Sequence, residues 1–183
     1  MIAPKPLLEV RGLTKCFGPG CAACTATTGP DFGTNTCAEC GTVVACQDIA
    51  FDLYPNEVLG IVGESGSGKT TLIRLLHFDD DPSSGTLSLD PATQEGAPPR
   101  EADLDQRNLF ELSAFRKRQL RNLMIGIVYQ NPHDGLRMNI SAGGNVAERL
   151  LMAGWRHVGQ MRGRAAELLD RTEVPVGRMD EPP

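Results

Sequence analysis

The stretch GESGSGKTT, from Gly63 to Thr71, constrains this chain more than any other part of it. It fits G-x-x-x-x-G-K-[ST] at Gly63, Gly68, Lys69 and Thr70. Glycines at these positions let successive backbone N–H groups turn inward around an anion. A helix starting directly behind them adds the positive end of its dipole. The pattern assigns phosphate cradling to Gly63, Ser65, Gly66, Ser67, Gly68 and Thr71, contact with the outer phosphates to Lys69, and a Mg²⁺-ligating hydroxyl to Thr70. The context agrees, because the apolar run EVLGIVG (Glu57 to Gly63) precedes the loop and an amphipathic pattern follows it, from Lys69 to about Phe78. A Gly-rich turn that matches by chance would lack both neighbours.

Around that loop the sequence reads as alternating elements. LLEVRGLTK (Leu7 to Lys15) and DIAFDLY (Asp48 to Tyr54) are expected strands, the second by its apolar–polar alternation. EVLGIVG and MIGIVYQ (Met124 to Gln130) are continuous apolar runs, expected as central strands buried on both faces. SSGTLSLD predicts a further strand. QRNLFELSAFRKRQLRN and the patterns from Asn145 to about Trp155 and from about Val158 to Val174 predict helices. PNE reads as a turn in which Asn56 accepts the left-handed conformation. Residues 91–105 are polar and Pro-rich, a surface excursion. The sum is an α/β fold with a parallel-containing sheet.

Residues 16–46 differ in kind, with small residues, few large apolar side chains and all six cysteines of the chain. Cys21-Ala-Ala-Cys24 and Cys37-Ala-Glu-Cys40-Gly41 form a C-x₂-C…C-x₂-C pattern. Two such turns present four soft ligands in tetrahedral array, which suits structural Zn²⁺ at Cys21, Cys24, Cys37 and Cys40. Gly41 allows the tight turn of a knuckle. An iron–sulfur cluster and unligated thiols are the alternatives. The segment has no apolar core and needs such a staple. Cys16 and Cys46 flank it, either facing each other at its neck or serving as small apolar residues.

The chain has 183 residues and a net charge of −5, from 18 basic and 23 acidic side chains, with no long basic run. A nucleic-acid partner is therefore not expected. No apolar stretch reaches membrane-span length and MIAPKPLLEV lacks the h-region of a secretory signal, so a cytoplasmic address is expected.

GIVGESGSGKTTL, followed later by an apolar run ending in VYQNP, resembles the ATP-binding cassette (ABC) ATPases. The resemblance implies ATP and Mg²⁺ as cofactors and a second ABC protomer as partner. It implies that Gln130 is the Q-loop residue, touching Mg²⁺ and the attacking water as the catalytic glutamine. It also implies that Phe17, near the end of the first strand, stacks on adenine where the family more often has Tyr. DGLRMNISAGGN and VPVGRMDEPP are similar to the ATP-binding subunit of the carbon–phosphorus lyase system, which degrades phosphonates. That resemblance covers nearly the whole chain outside the cysteine segment and implies soluble lyase core subunits as partners. Peptide and nickel importers share GESGSGKT, so an importer domain docking on a membrane permease is the second reading. A non-catalytic zinc-bearing interaction module is the third.

Met179-Asp180-Glu181-Pro182 imitates the Asp-Glu pair of a Walker B strand. Pro175 and Gly177 interrupt any strand there, and Arg178 would sit in a dry sheet interior. The family places an LSGGQ-type signature before Walker B. ISAGGN carries an extra Ala and lies too close to Gln130 to serve as one. Asp180 and Glu181 are therefore expected in a solvated loop. His77, His133 and His157 match no switch position. Residues 1–183 are expected to be the N-terminal part of an ABC domain, 16–46 being an insert within it. Taken alone, the chain is expected to be poorly stable and nearly inactive.

Overall fold

The computed structural model describes residues 5–90 and 108–183. They form two compact units, 1–117 and 118–183. The first is built on a three-stranded sheet of order β2-β1-β3, with β1 at Leu8–Phe17, β2 at Val43–Leu53 and β3 at Ser84–Leu89. Both pairings are antiparallel. The parallel-containing sheet expected from strand–helix alternation is therefore not what the described residues form.

β1 holds the sheet together. Strict alternation would send Val10 and Leu13 to opposite faces, yet both are fully buried. The register with β2 shifts between these residues, at Gly12, whose φ is 60°. The extra residue of this bulge returns Leu13 to the core side. Leu87 and Leu89 of β3, Leu72 and Leu75 of α1 (Lys69–Leu76), Phe78 and Leu109 supply further buried apolar groups. Phe78 meets Phe110 edge to face at 6.0 Å. Asn108 ties the segment before α2 (Ala114–Leu123) to β3: its Oδ1 accepts from the Leu87 N–H at 3.2 Å and its Nδ2 donates to the Gly85 carbonyl at 3.3 Å.

EVLGIVG and MIGIVYQ, expected as buried central strands, join no ladder among the described residues. Val58, Val62 and Val128 are 94%, 93% and 97% exposed. A strand exists only where a neighbour accepts its N–H and C=O groups, and neither run has one here. The expected turn at PNE is present, with Asn56 at φ 62°. The polar excursion at 91–105 lies outside the described residues.

The second unit packs α3 (Ala142–Met152) on α4 (Val158–Arg171). Ala165, Leu169 and Met179 are buried together, with Ala142, Val146 and Val174 against them. Ser141 caps α3 by accepting from the Gly144 N–H at 3.1 Å. The carbonyls of Glu181 and Met179 accept from the Ala142 and Gly143 N–H groups, each at 2.8 Å, so the MDEP segment satisfies two more helix-start donors. Asp180 forms a two-pronged pair with Arg162 at 2.9 and 3.0 Å, and Glu181 pairs with Arg178 at 2.8 Å. Both carboxylates make local salt links at the surface; the interrupted strand pattern predicts the exposed loop but not these pairings.

Candidate functional site

The Gly-rich loop feeds α1 directly. Gly68 is the residue before the helix and adopts the left-handed conformation, φ 88°. A Cβ there would lie 2.0 Å from the Ala45 carbonyl oxygen of β2. Only glycine lets the loop turn this close to the sheet. The Lys69 ammonium folds back across the loop and donates to the Gly63 and Glu64 carbonyls at 2.7 and 2.6 Å. It also reaches the Ser67 hydroxyl at 3.3 Å.

In front of this loop lies a cleft of about 270 Å³, lined by Gly66, Ser67, Gly68, Lys69, Thr70 and Thr71 on one side and by Phe17, Asn35, Val43 and Ala45 on the other. Phe17, at the end of β1, is 44% exposed. The Lys15 ammonium lies 4.8 Å from its ring centroid. Lys15 is itself fixed by Asp80 at 2.7 Å and by the Asp81 carbonyl at 2.6 Å, which holds the Asp80 carboxyl below its ordinary range. Gly63 and Ser65 belong to the loop but not to the cleft lining. Gln130 lies in the second unit, just before Asn131, which caps the turn Pro132–Asp134.

The sequence reading missed Asn35, Val43 and Ala45. The signal for the last two was the run TVVAC, which extends β2 back to Val43 instead of Asp48. Nothing in the sequence pointed to Asn35, which lies at the cleft with its carbonyl accepting from the Val44 N–H at 2.8 Å.

The second site is the thiol cluster. The sulfurs of Cys21, Cys24, Cys37 and Cys40 all lie within 4.8 Å of one another. Cys21 sits 3.6 Å from Cys24 and 3.6 Å from Cys37, and Cys24 is 3.3 Å from Cys40. A tetrahedron with metal–sulfur bonds of ~2.3 Å has sulfur–sulfur edges of ~3.8 Å, so the four sulfurs need only small shifts to hold a tetrahedral ion. Each knuckle is closed by its own backbone: the Cys21 N–H points at the Cys24 sulfur at 3.1 Å, and the Gly41 N–H, at φ 71°, donates to the Cys37 carbonyl at 2.9 Å.

The thiols of the cluster titrate far apart. Thr42 is fully buried; its hydroxyl accepts from the Gly20 N–H at 2.9 Å and lies 3.1 Å from the Cys40 sulfur. That hydroxyl and the Thr42 N–H bring Cys40 down to about 6. The Ala23 N–H favours the Cys21 thiolate, but the adjoining thiols of Cys40, Cys24 and Cys37, with partial burial, outweigh it and push Cys21 up to about 12. Four sulfurs this close do not ionise together unless a cation sits among them. These cysteines are also the core of their segment, since Cys24 and Cys37 pack with Val44, and Cys16 and Cys40 lie against them. Cys16 faces Val44 in the ladder and Cys46 faces Lys15, so the two flanking cysteines are neighbours in register and do not oppose each other. Burial pushes the Cys46 thiol up.

Two of the three histidines have structural partners. The His77 Nδ1 pairs with Asp79 at 2.8 Å beyond α1, and the His157 Nδ1 caps α4 by accepting from the Gln160 N–H at 3.2 Å.

A Gly-rich turn entering a helix against an antiparallel sheet, with Lys69 and Thr70 at the edge of a cleft, defines a phosphate-loop nucleotide-binding domain. Residues 46–180 match the family described as ABC transporter, and the chain belongs to that family. Membership implies ATP and Mg²⁺ as its ligands. The putative phosphonates utilization ATP-binding protein PhnK of Escherichia coli is 37% identical over 179 residues, 98% of this chain and 56% of that protein. A putative peptide import ATP-binding protein of Brucella abortus is 36% identical over 146 residues, 78% of this chain and 40% of that protein. The lipoprotein-releasing system ATP-binding protein LolD of Bordetella pertussis is 37% identical over 124 residues, 68% of this chain and 46% of that protein. The chain therefore spans about half the length of these relatives. The fold is shared with a dimeric ATP-binding cassette solved in a post-hydrolysis state with ADP and Pi, at TM-score 0.68 and 21% identity, over 96% of this chain and 61% of that one. No helix among the described residues is long and apolar enough to cross a membrane.

Proposed function

We propose that this chain is the nucleotide-binding part of an ATP-binding subunit serving phosphonate breakdown by a carbon–phosphorus lyase complex. The observation that carries this reading is the similarity to PhnK along 98% of the chain. The phosphate-loop cleft supplies the chemistry. In it Lys69 neutralises the outer phosphates, the loop N–H groups of Gly63 to Thr71 surround them, and Thr70 gives Mg²⁺ one oxygen. Phe17 stacks on the base, and Gln130 reaches Mg²⁺ and the water in the assembled enzyme. Hydrolysis is assigned to the longer protein paired with a second ABC protomer, since the signature and Walker B positions lie outside the motifs found here. Cys21, Cys24, Cys37 and Cys40 hold one structural Zn²⁺ within the insert at 16–46. A four-thiolate site has no open position for a substrate.

The decisive test has two arms. Lys69→Ala should abolish nucleotide binding measured by calorimetry with Mg²⁺-ATP, and equal affinity in mutant and parent would sink the cleft assignment. Affinity capture from cells should retrieve soluble lyase subunits. Retrieval of a membrane permease would instead support the importer reading, which the 36% identity to a peptide import protein favours.

A further inference from the structure

Phe17 is the last residue of β1, where the sheet is running out. It still faces Val43, the first residue of β2, but the pairing of β1 with β3 ends at Thr14. From there the segment that follows α1 takes over the free edge of β1. The Ser83 N–H donates to the Thr14 carbonyl at 2.9 Å, and the Cys16 N–H donates to the Ser83 hydroxyl at 2.9 Å. The same segment holds Lys15. Its ammonium donates to the Asp80 carboxylate at 2.7 Å and to the Asp81 carbonyl at 2.6 Å, while Lys117 donates to the Asp81 carboxylate at 2.7 Å. The Lys15 side chain is therefore largely buried, with its charge fixed 4.8 Å from the centroid of the Phe17 ring. Phe17 lines the nucleotide cleft and Lys15 does not, so the ammonium meets the ring from outside the cleft.

We propose that Lys15 is a positioning residue for the nucleobase: it clasps the Phe17 ring from behind and so presents the ring to the base. The proposal rests on the reading of Phe17 as the base-stacking ring given above. A half-exposed aromatic at a strand end has rotamers to lose, and a base that must select one of them binds less tightly. A cation over one face is attracted by the π density of the ring and favours the rotamer that keeps this contact. It also draws that density away from the opposite face, which then stacks better on an electron-rich purine. Lys15 touches no part of the nucleotide in this arrangement; its effect passes through Phe17. The phosphates are held by the Gly-rich loop and the start of α1, which Lys15 does not reach.

The test measures binding of Mg²⁺-ATP and of inorganic tripolyphosphate to the full chain by calorimetry. The samples are the parent, Lys15→Met, Lys15→Arg, Phe17→Ala and the double variant of Lys15→Met with Phe17→Ala, each checked by far-ultraviolet dichroism. Lys15→Met keeps the apolar stem and removes the charge. It is expected to bind ATP about threefold more weakly, the value of one half-exposed cation–π contact, and to bind tripolyphosphate as the parent does. Lys15→Arg keeps a cation over the ring and should bind ATP as the parent does. In the Phe17→Ala background, Lys15→Met should have no further effect. Should Lys15→Met lose the dichroism of the parent, Lys15→Gln carries the same expectations. Unaltered ATP affinity in Lys15→Met, while Phe17→Ala weakens it, would overturn the proposal and leave the stacking reading standing. An equal loss for ATP and tripolyphosphate would overturn it in favour of general damage to the loop. A loss of the same size in both backgrounds would show that Lys15 acts without the ring, which overturns it too. Phe17→Ala that binds ATP as the parent does, or a parent that binds neither ligand, overturns the stacking or the nucleotide reading respectively and the proposal with it.

Discussion

At the scale of single residues, two positions carry sharp consequences. Gly68 combines a left-handed backbone with a carbonyl 2.0 Å from where a Cβ would sit. Gly68→Ala therefore faces both a conformational cost of ~1–2 kcal/mol and a clash with backbone that cannot step aside. The expected outcome is loss of ATP binding with the metal retained, measured by calorimetry and metal analysis. Asp80 anchors Lys15, whose side chain is only 12% exposed and lies over Phe17. Asp80→Asn should cost about 1 kcal/mol in urea unfolding at neutral pH. The Asp80 carboxyl titrates below its unfolded value of 3.8, chiefly through the Lys15 hydrogen bond. Its contribution is therefore present above that value and is lost as pH falls through the native pKa. The gap between mutant and parent should narrow progressively as pH falls below 3.8, and a gap that stays constant down to acid unfolding would show that the pair is not the cause.

At the scale of elements, the thiolate segment and the start of α3 make separable predictions. The purified chain should carry close to one Zn²⁺, colourless and removable by chelation. A brown protein with visible absorbance would replace zinc by an iron–sulfur cluster. Cys37→Ser should lower metal content severalfold, because one missing thiolate opens the tetrahedron. Ser141→Ala removes the side-chain cap of α3 and should cost about 1 kcal/mol of second-unit stability. Its Gly144 N–H partner should lose protection in hydrogen exchange. The Ala142 and Gly143 N–H groups should keep theirs, because Glu181 and Met179 hold them from the other side.

At the scale of the whole molecule, the exposed apolar runs dominate. Val58, Ile61, Val62 and Val128 are exposed side chains in runs with no ladder partner among the described residues. Such segments favour association through their free backbone and apolar faces. The 183-residue chain is expected to bind a hydrophobic dye strongly. A longer chain supplying a strand that pairs with residues 57–63 should quench that binding and gain ATPase activity together. Weak dye binding by the 183-residue chain would show that these runs are covered in some other way.

The sequence by itself determined the features that depend on local chemistry. GESGSGKTT needs no distant partner to be read, because its glycines and the following helix are contiguous. The two Cys-x-x-Cys turns were legible for the same reason, as were the left-handed Asn56 and the strand-breaking Pro175 and Gly177 around Asp180. Tertiary structure decided whatever depends on pairing. Apolar runs at 57–63 and 124–130 have strand composition, but composition supplies no neighbour, and without a ladder they are not strands. The antiparallel order β2-β1-β3 and the bulge at Gly12 come from which strands meet. Asn35 is the clearest case: an exposed amide among small residues, it lies at the cleft beside β2, to which the Val44 N–H bonds it. A side chain's chemistry is written at its own position, whereas the company it keeps is set by contacts between residues far apart in the chain.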